Sequence, residues 1–275
     1  MREVTAFGGM VRKEWQLLMR YWPDTFLVLA EAVLMPLAYW AQAEGFEGDD
    51  PAARAAFADR SGTDEIAAFI YLGWAVFMWV STMIWGPGAS LRQERMQGSL
   101  ENLVISPVSR FTLLYGPAVA HLMPTVLVFS AVAVMLRFVF GVDISLAQAA
   151  GGVGVLVISI PAILGLSALV SVTVMRFRDS NGINAAARGL VGLLCGVTYP
   201  LAVLPDWIHP VSWSIPITAV IDSLRAAVLG GSAAADLNGE LALLVLAGVA
   251  TGWFGVWALG ASLRTLARTG RLGQY

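Results

Sequence analysis

Six stretches of this chain are apolar for long enough to cross a bilayer, and that pattern leaves few folds open. They cover residues 25–43, 66–89, 111–140, 151–175, 182–204 and 241–263. A helix rises about 1.5 Å per residue against a hydrocarbon layer about 30 Å thick, so about twenty apolar residues make one crossing. Inside that layer each backbone amide and carbonyl must find its partner within the protein, and a helix supplies those partners locally. The expectation is an all-α polytopic membrane protein with six transmembrane helices in a single transmembrane domain, residues 1–275. Composition agrees: 57% of the chain is hydrophobic and 13% charged, where a soluble domain carries about a quarter charged residues.

The segments between the spans divide by charge. Val4, Phe7, Val11, Trp15, Leu18 and Trp22 recur at three- and four-residue steps, with Arg12, Lys13 and Arg20 on other faces. Residues 1–22 therefore read as a basic amphipathic helix lying in the interface, not as a secretory signal with a short apolar core. Residues 44–65 are acidic, with Glu44, Glu47, Asp49, Asp50, Asp59, Asp64 and Glu65 against Arg54 and Arg60. The N-terminus, the 91–110 loop, the turn at Arg176 and the C-terminus hold 12 of the 17 Lys and Arg residues. By the positive-inside rule both termini are expected in the cytoplasm of a plasma-membrane protein.

Residues 91–110, LRQERMQGSLENLVISPVSR, form the one long polar interruption without an acidic bias. Gly98 and Ser99 suit the end of one helix and the cap of another, and Glu101 would lie in a first turn, where the helix dipole favours an anion. Leu100, Leu103 and Val104 fall on one face before Ser106-Pro107 stops the helix. A short capped helix between two spans suits docking of a cytoplasmic partner, and equally an amphipathic loop resting on lipid headgroups.

This segment resembles the loop between the second and third spans of type-2 ABC transporter permeases: an acidic residue, Gly-(Ser/Thr)-Leu-Glu, an apolar run and Ser-Pro-x-Ser/Arg. The matching positions are Glu94, Gly98, Ser99, Leu100, Glu101, Ser106, Pro107, Ser109 and Arg110. A second resemblance lies between the fifth and sixth spans. There Pro200, Pro205, Pro210 and Pro216 break the helical ladder of an apolar run, and PITAVIDSLR carries Asp222 and Arg225. Short re-entrant extracellular helices over residues 205–230 are expected.

The resemblance implies an exporter subunit. Residues 91–110 would be the coupling helix against an ATPase, with Arg92, Glu94, Arg95, Gly98, Ser99, Leu100, Glu101, Leu103, Ser106, Pro107 and Arg110 as the contact set. The partners implied are two ABC ATPase subunits, which would bind ATP and Mg, a second permease, identical or homologous, and membrane lipid. Nucleic acid is not implied.

The residues themselves argue against catalysis in this chain. A phosphate-binding loop needs a Gly-rich turn ending in Lys-Ser/Thr, and the only lysine, Lys13, precedes Glu14. Two histidines, His121 and His209, and one cysteine, Cys195, build neither a disulfide nor a His/Cys metal site. No cofactor is expected on this chain.

Charges and rings inside the spans suggest a substrate path. Glu31 stands about 10 Å along its helix from Asp24, and Arg188 about 9 Å from Gly182. Both helices enter from the same side, so the two charges share a depth and are expected to pair, as a static bridge or as a polar gate. Trp74, Phe77 and Trp79 lie mid-span, as packing residues or as a substrate-facing wall. Ala185, Gly189, Gly192 and Gly196 form small-xxx-small steps for close helix approach, within the chain or across a dimer. The leading function is export of an amphiphilic drug or lipid-like molecule, with export of a polyprenyl-linked polysaccharide or glycolipid as the alternative. Another class, an ATP-independent secondary transporter or a membrane scaffold, would not need the docking segment.

Overall fold

The structure, a computed structural model, describes residues 2–47, 50–98, 108–176, 180–230 and 238–268. Every regular element among them is helical: α1 (Arg2–Arg20), α2 (Trp22–Glu47), α3 (Pro51–Ser61), α4 (Ile66–Met96), α5 (Arg110–Ala120), α6 (Leu122–Phe138), α7 (Leu146–Arg176), α8 (Ser180–Leu194), a single 3-10 turn (Leu201–Val203), α9 (His209–Ser214), α10 (Pro216–Val228) and α11 (Asn238–Arg268).

Five helical stretches are long and apolar enough to cross a membrane: Trp22–Gly45, Ile66–Met83, Arg110–Phe138, Leu146–Thr173 and Leu241–Thr265. The sixth expected crossing, residues 182–204, is a shorter object. Its helix, α8, has 15 residues, about 22 Å of rise, and its apolar part is Ala185–Leu194. Gly196 then takes a left-handed φ of 62°, a conformation glycine adopts without a Cβ penalty. Pro200 and Pro205 follow, which cannot donate to a continuing ladder. Among the described residues the chain therefore has five full-length candidates and one short apolar helix, not six continuous spans.

Other boundaries moved for local reasons. Pro23 lies in the first turn of α2, where proline is tolerated, so the first span begins earlier than residue 25 and runs on through Pro36 to Glu47. The expected 111–140 span divides at His121 into α5 and α6. Pro124 has no N–H to give the carbonyl of Ala120, and the break falls there. The acidic loop holds a helix that was not anticipated, α3, although its signals are in the sequence. Asp50 accepts from the Ala52 amide at 2.9 Å, Pro51 opens the helix, and Gly62 closes it at φ 73°.

α4 is the hub. Nearly every residue from Ile66 to Met83 is buried, with α2, α5, α6, α7 and α10 packed around it. α11 runs along α7 on a seam of glycines. A Cβ on Gly248 would come 2.3 Å from the Ala162 amide nitrogen, and one on Gly255 would come 2.3 Å from the Ala168 Cβ. Backbones this close are what small residues allow between membrane helices. α9 and α10 occupy the 205–230 region, and α10 buries Ile217, Val220, Ile221, Leu224 and Ala227 against α7 and α4.

Candidate functional site

Two clusters gather the residues singled out by sequence. The first surrounds the two described ends of the docking segment. α4 carries Leu91, Arg92, Glu94 and Arg95 as a continuation of the second span, then ends, with Gly98 at φ 70°. Ser99, Leu100, Glu101, Leu103, Ser106 and Pro107 lie outside the described residues. The chain returns at Ser109, which caps α5 by accepting from the Thr112 amide at 3.2 Å. Arg110 follows, its guanidinium lying against Gly260 of α11.

Both ends are tied to α1. Lys13 donates to Glu94, which is buried, and its ammonium lies 3.9 Å from Glu14. The Ser90 hydroxyl donates to Glu14 at 2.6 Å. Across the gap, the Thr112 hydroxyl donates to Glu3 at 3.3 Å. Apolar contacts reinforce the polar ones: Phe7 stacks on Phe111 at 6.3 Å, Phe111 meets Tyr115 at 4.7 Å, and Met10 lies over Gly116. The amphipathic α1 thus clamps the last turns of α4 to the first turns of α5. The sequence pattern implies an amphipathic helix here but not this bracing. Glu94 turns inward to the only lysine of the chain.

The second cluster lies within the bundle. Glu31 of α2 and Arg188 of α8 face each other at 3.6 Å, each about one-third exposed. The Arg188 guanidinium stands 5.6 Å from the Phe77 ring centroid, a cation–π arrangement. Phe77 contacts Trp74 at 5.1 Å, and Trp74 contacts Tyr39 at 5.3 Å. Four of the five expected path residues, Glu31, Trp74, Phe77 and Arg188, therefore form one chain of contacts. Trp79 is separate and packs edge-on against Phe129 of α6 at 6.0 Å. Trp74, Phe77 and Trp79 are all buried in the chain's own core, and the indole N–H groups of Trp74 and Trp79 have no acceptor among the described residues.

Two further features escaped the sequence reading. Arg225 donates to the carbonyls of Phe69, Gly196 and Val197, tying α10 to the first turn of α4 and to the turn after α8. His121 covers Gly86, whose Cβ would come 2.4 Å from the imidazole Cδ2. His121 thus sits over a glycine in a helix crossing. No group of three or more His, Cys, Asp or Glu residues able to hold a metal occurs among the described residues.

The family model of the ABC-2 type transporter matches residues 5–229, from α1 through the whole of α10. The chain belongs to the ABC-2 type transporter family. It is a multi-pass membrane protein and the permease subunit of an ABC transporter. No curated protein matches the sequence. The match ends one residue past Val228, so α11 and the glycine seam that seats it on α7 extend beyond the matched region.

Proposed function

We propose that this permease exports an amphiphilic drug or lipid-like molecule from the cytoplasm or inner leaflet, driven by separate ATPase subunits that dock on residues 91–110. Two permeases, identical or homologous, and two ATPases would form the working unit, in the plasma membrane with both termini in the cytoplasm. ATP and Mg would be bound by the ATPases and not by this chain.

The observation that carries the reading is the bracing of both ends of the docking segment by α1. A push on residues 99–107 acts on the end of α4 and the start of α5, and Lys13–Glu94, Ser90–Glu14 and Thr112–Glu3 pass it to α1 and the interface. α4 is the buried hub, so the same push reaches the Glu31–Arg188 pair through Phe77. The exposed face of α8, with Ala185, Gly189, Leu190 and Leu193, supplies a surface for a second permease, and no atom lies within 4 Å of where a Gly189 Cβ would stand. Burial of Trp74, Phe77 and Trp79 favours an amphiphile over a polysaccharide, because sugar stacking needs ring faces open to the path.

Affinity capture from membranes decides the coupling role. The tagged permease should retain an ATPase in stoichiometric amount, and the Glu101→Lys plus Leu103→Asp variant should lose it while keeping its thermal unfolding temperature. Absence of any ATPase, even after crosslinking in membranes, would overturn the reading.

A further inference from the structure

The helices α6 and α7 follow one another in the chain, and each packs on α4. Between them opens a cavity of about 500 Å³, within the range of roughly 300–1,000 Å³ that holds small ligands. Val126 and Ala133 of α6 and Val153 and Val157 of α7 are exposed at its rim, so its mouth opens outward from the bundle. Trp79 of α4, 2% exposed, forms the floor. No charged side chain lines the cavity, so its walls suit an uncharged occupant.

One polar atom on that floor lacks a partner. The buried Nε1–H of Trp79 finds no acceptor among the described residues. Its neighbours in the cavity are otherwise engaged: the Thr125 hydroxyl donates to the His121 carbonyl at 3.1 Å, and Phe129 meets the indole edge-on at 6.0 Å. A buried donor normally has an acceptor, and the hydrocarbon layer holds no water to supply one. Trp79 stands about 20 Å along α4 from Ile66, well inside a layer about 30 Å thick. At that depth the chain of a phospholipid brings only methylene groups. The acceptor must therefore arrive on a different molecule.

We propose that this cavity binds a neutral, largely apolar molecule whose body carries a carbonyl oxygen, with Trp79 Nε1–H donating to that oxygen and the apolar body lying between α6 and α7. Volume, uncharged walls and the single unanswered donor define the class together. Phe77, which meets Arg188, precedes Trp79 by two residues and so points about 200° away around α4. The site is thus on the opposite face of the hub helix from the Glu31–Arg188 cluster. Binding here goes beyond the export reading and does not depend on it.

Photolabelling of the permease in phosphatidylcholine nanodiscs tests the site. The probe is 4-octylbenzophenone, whose carbonyl accepts a hydrogen bond and, on irradiation, inserts into neighbouring C–H bonds. Mass spectrometry should place the label on residues 122–133 and 153–160. Pentadecan-8-one should suppress that label at a mole fraction about tenfold below pentadecane, the same chain without the oxygen. Trp79→Phe keeps an aromatic ring and removes the donor, and it should bring the two competitors within about twofold of each other. Ala133→Trp, at the exposed rim, should cut the label about fivefold or more by filling the mouth. Leu246→Trp, on the exposed face of α11, should leave it unchanged. Equal suppression by ketone and alkane in the parent would mean that the groove holds bilayer chains only, and would overturn the site even if Trp79→Phe does not fold. A ketone preference that survives in a folded Trp79→Phe, or a label undiminished by Ala133→Trp, would overturn it as well.

Discussion

Arg225 donates to the backbone carbonyl of Phe69 through both Nε, at 3.1 Å, and Nη2, at 2.9 Å, while its guanidinium carbon lies 3.4 Å from the Phe69 ring centroid. The same side chain donates to Gly196 at 2.8 Å and to Val197 at 2.7 Å. One planar fork therefore satisfies the carbonyls of the turn after α8, which lie beyond the end of that helix, and adds donors to the Phe69 carbonyl near the start of α4. Gly73 makes room for it: a Cβ there would lie 2.0 Å from the Val197 oxygen. Arg225→Ala takes the donor from the Gly196 and Val197 carbonyls and should cost about 3 kcal/mol. Arg225→Lys should recover less than half of that, because an ammonium has neither the fork nor the stacking face. Thermal unfolding in mild detergent reads both, and a lysine variant as stable as the parent would show that charge alone is required.

Glu31 and Arg188 pair across α2 and α8 at 3.6 Å. Glu31 lies within a candidate membrane span, where a charge left without a partner is costly. A reversal is costlier, since like charges then meet within an apolar bundle. Glu31→Arg and Arg188→Glu should each lower expression and unfolding temperature, and the double exchange should restore most of both. If the exchange restores folding but not transport, the pair's orientation matters to the path; no rescue of folding would mean that the two side chains do not depend on each other.

That pair was legible in the sequence because depth along a helix follows from residue count, and two charges at one depth in a low-dielectric layer have little choice of partner. The helix α1 was legible for a similar reason: its 3.6-residue pattern is a local property. The short α8 was not. Residues 182–204 are mostly apolar, and hydropathy does not register that Gly196 takes a positive φ. The bracing of the docking segment was hidden as well. Lys13–Glu94 and Glu3–Thr112 span 81 and 109 residues, and nothing local to either partner announces such a contact. The α7–α11 seam left a trace, Gly248-x-x-x-Gly252, but the same spacing on α8 drew attention instead.

Those two glycine sets should behave oppositely. Gly248 faces backbone, and a methyl there cannot be absorbed by rotating a side chain. Gly248→Ala should destabilise the permease by about 2 kcal/mol or more and lower its yield. Gly189 meets nothing within 4 Å in the chain, so Gly189→Leu should leave monomer stability near its parent value. On the proposed two-permease arrangement the same change should weaken self-association, measured by crosslinking or light scattering in nanodiscs. A Gly189→Leu permease that associates normally would exclude that face from the dimer contact.

Lys13 is the sole lysine of the chain and its ammonium bridges Glu94 at the end of α4 to Glu14 on its own helix. Glu94 is buried, so losing the ammonium beside it is unfavourable, and Lys13→Met should loosen α1 from α4 rather than unfold the bundle. Amide hydrogen exchange should then rise in α1 and in residues 90–96, while protection in α7 and α11 stays as in the parent. On the proposed coupling role, Lys13→Met should lower cargo-stimulated ATP hydrolysis of the assembled transporter more than basal hydrolysis, because the brace would then link the segment to α1. Glu94→Gln, which keeps a polar acceptor of the same shape without the charge, should fall between parent and Lys13→Met in both measurements. Stimulation that is unaffected by Lys13→Met would place the transmission route elsewhere, with Ser90–Glu14, Glu3–Thr112 and the Phe7–Phe111 stack among the ties of α1 that remain.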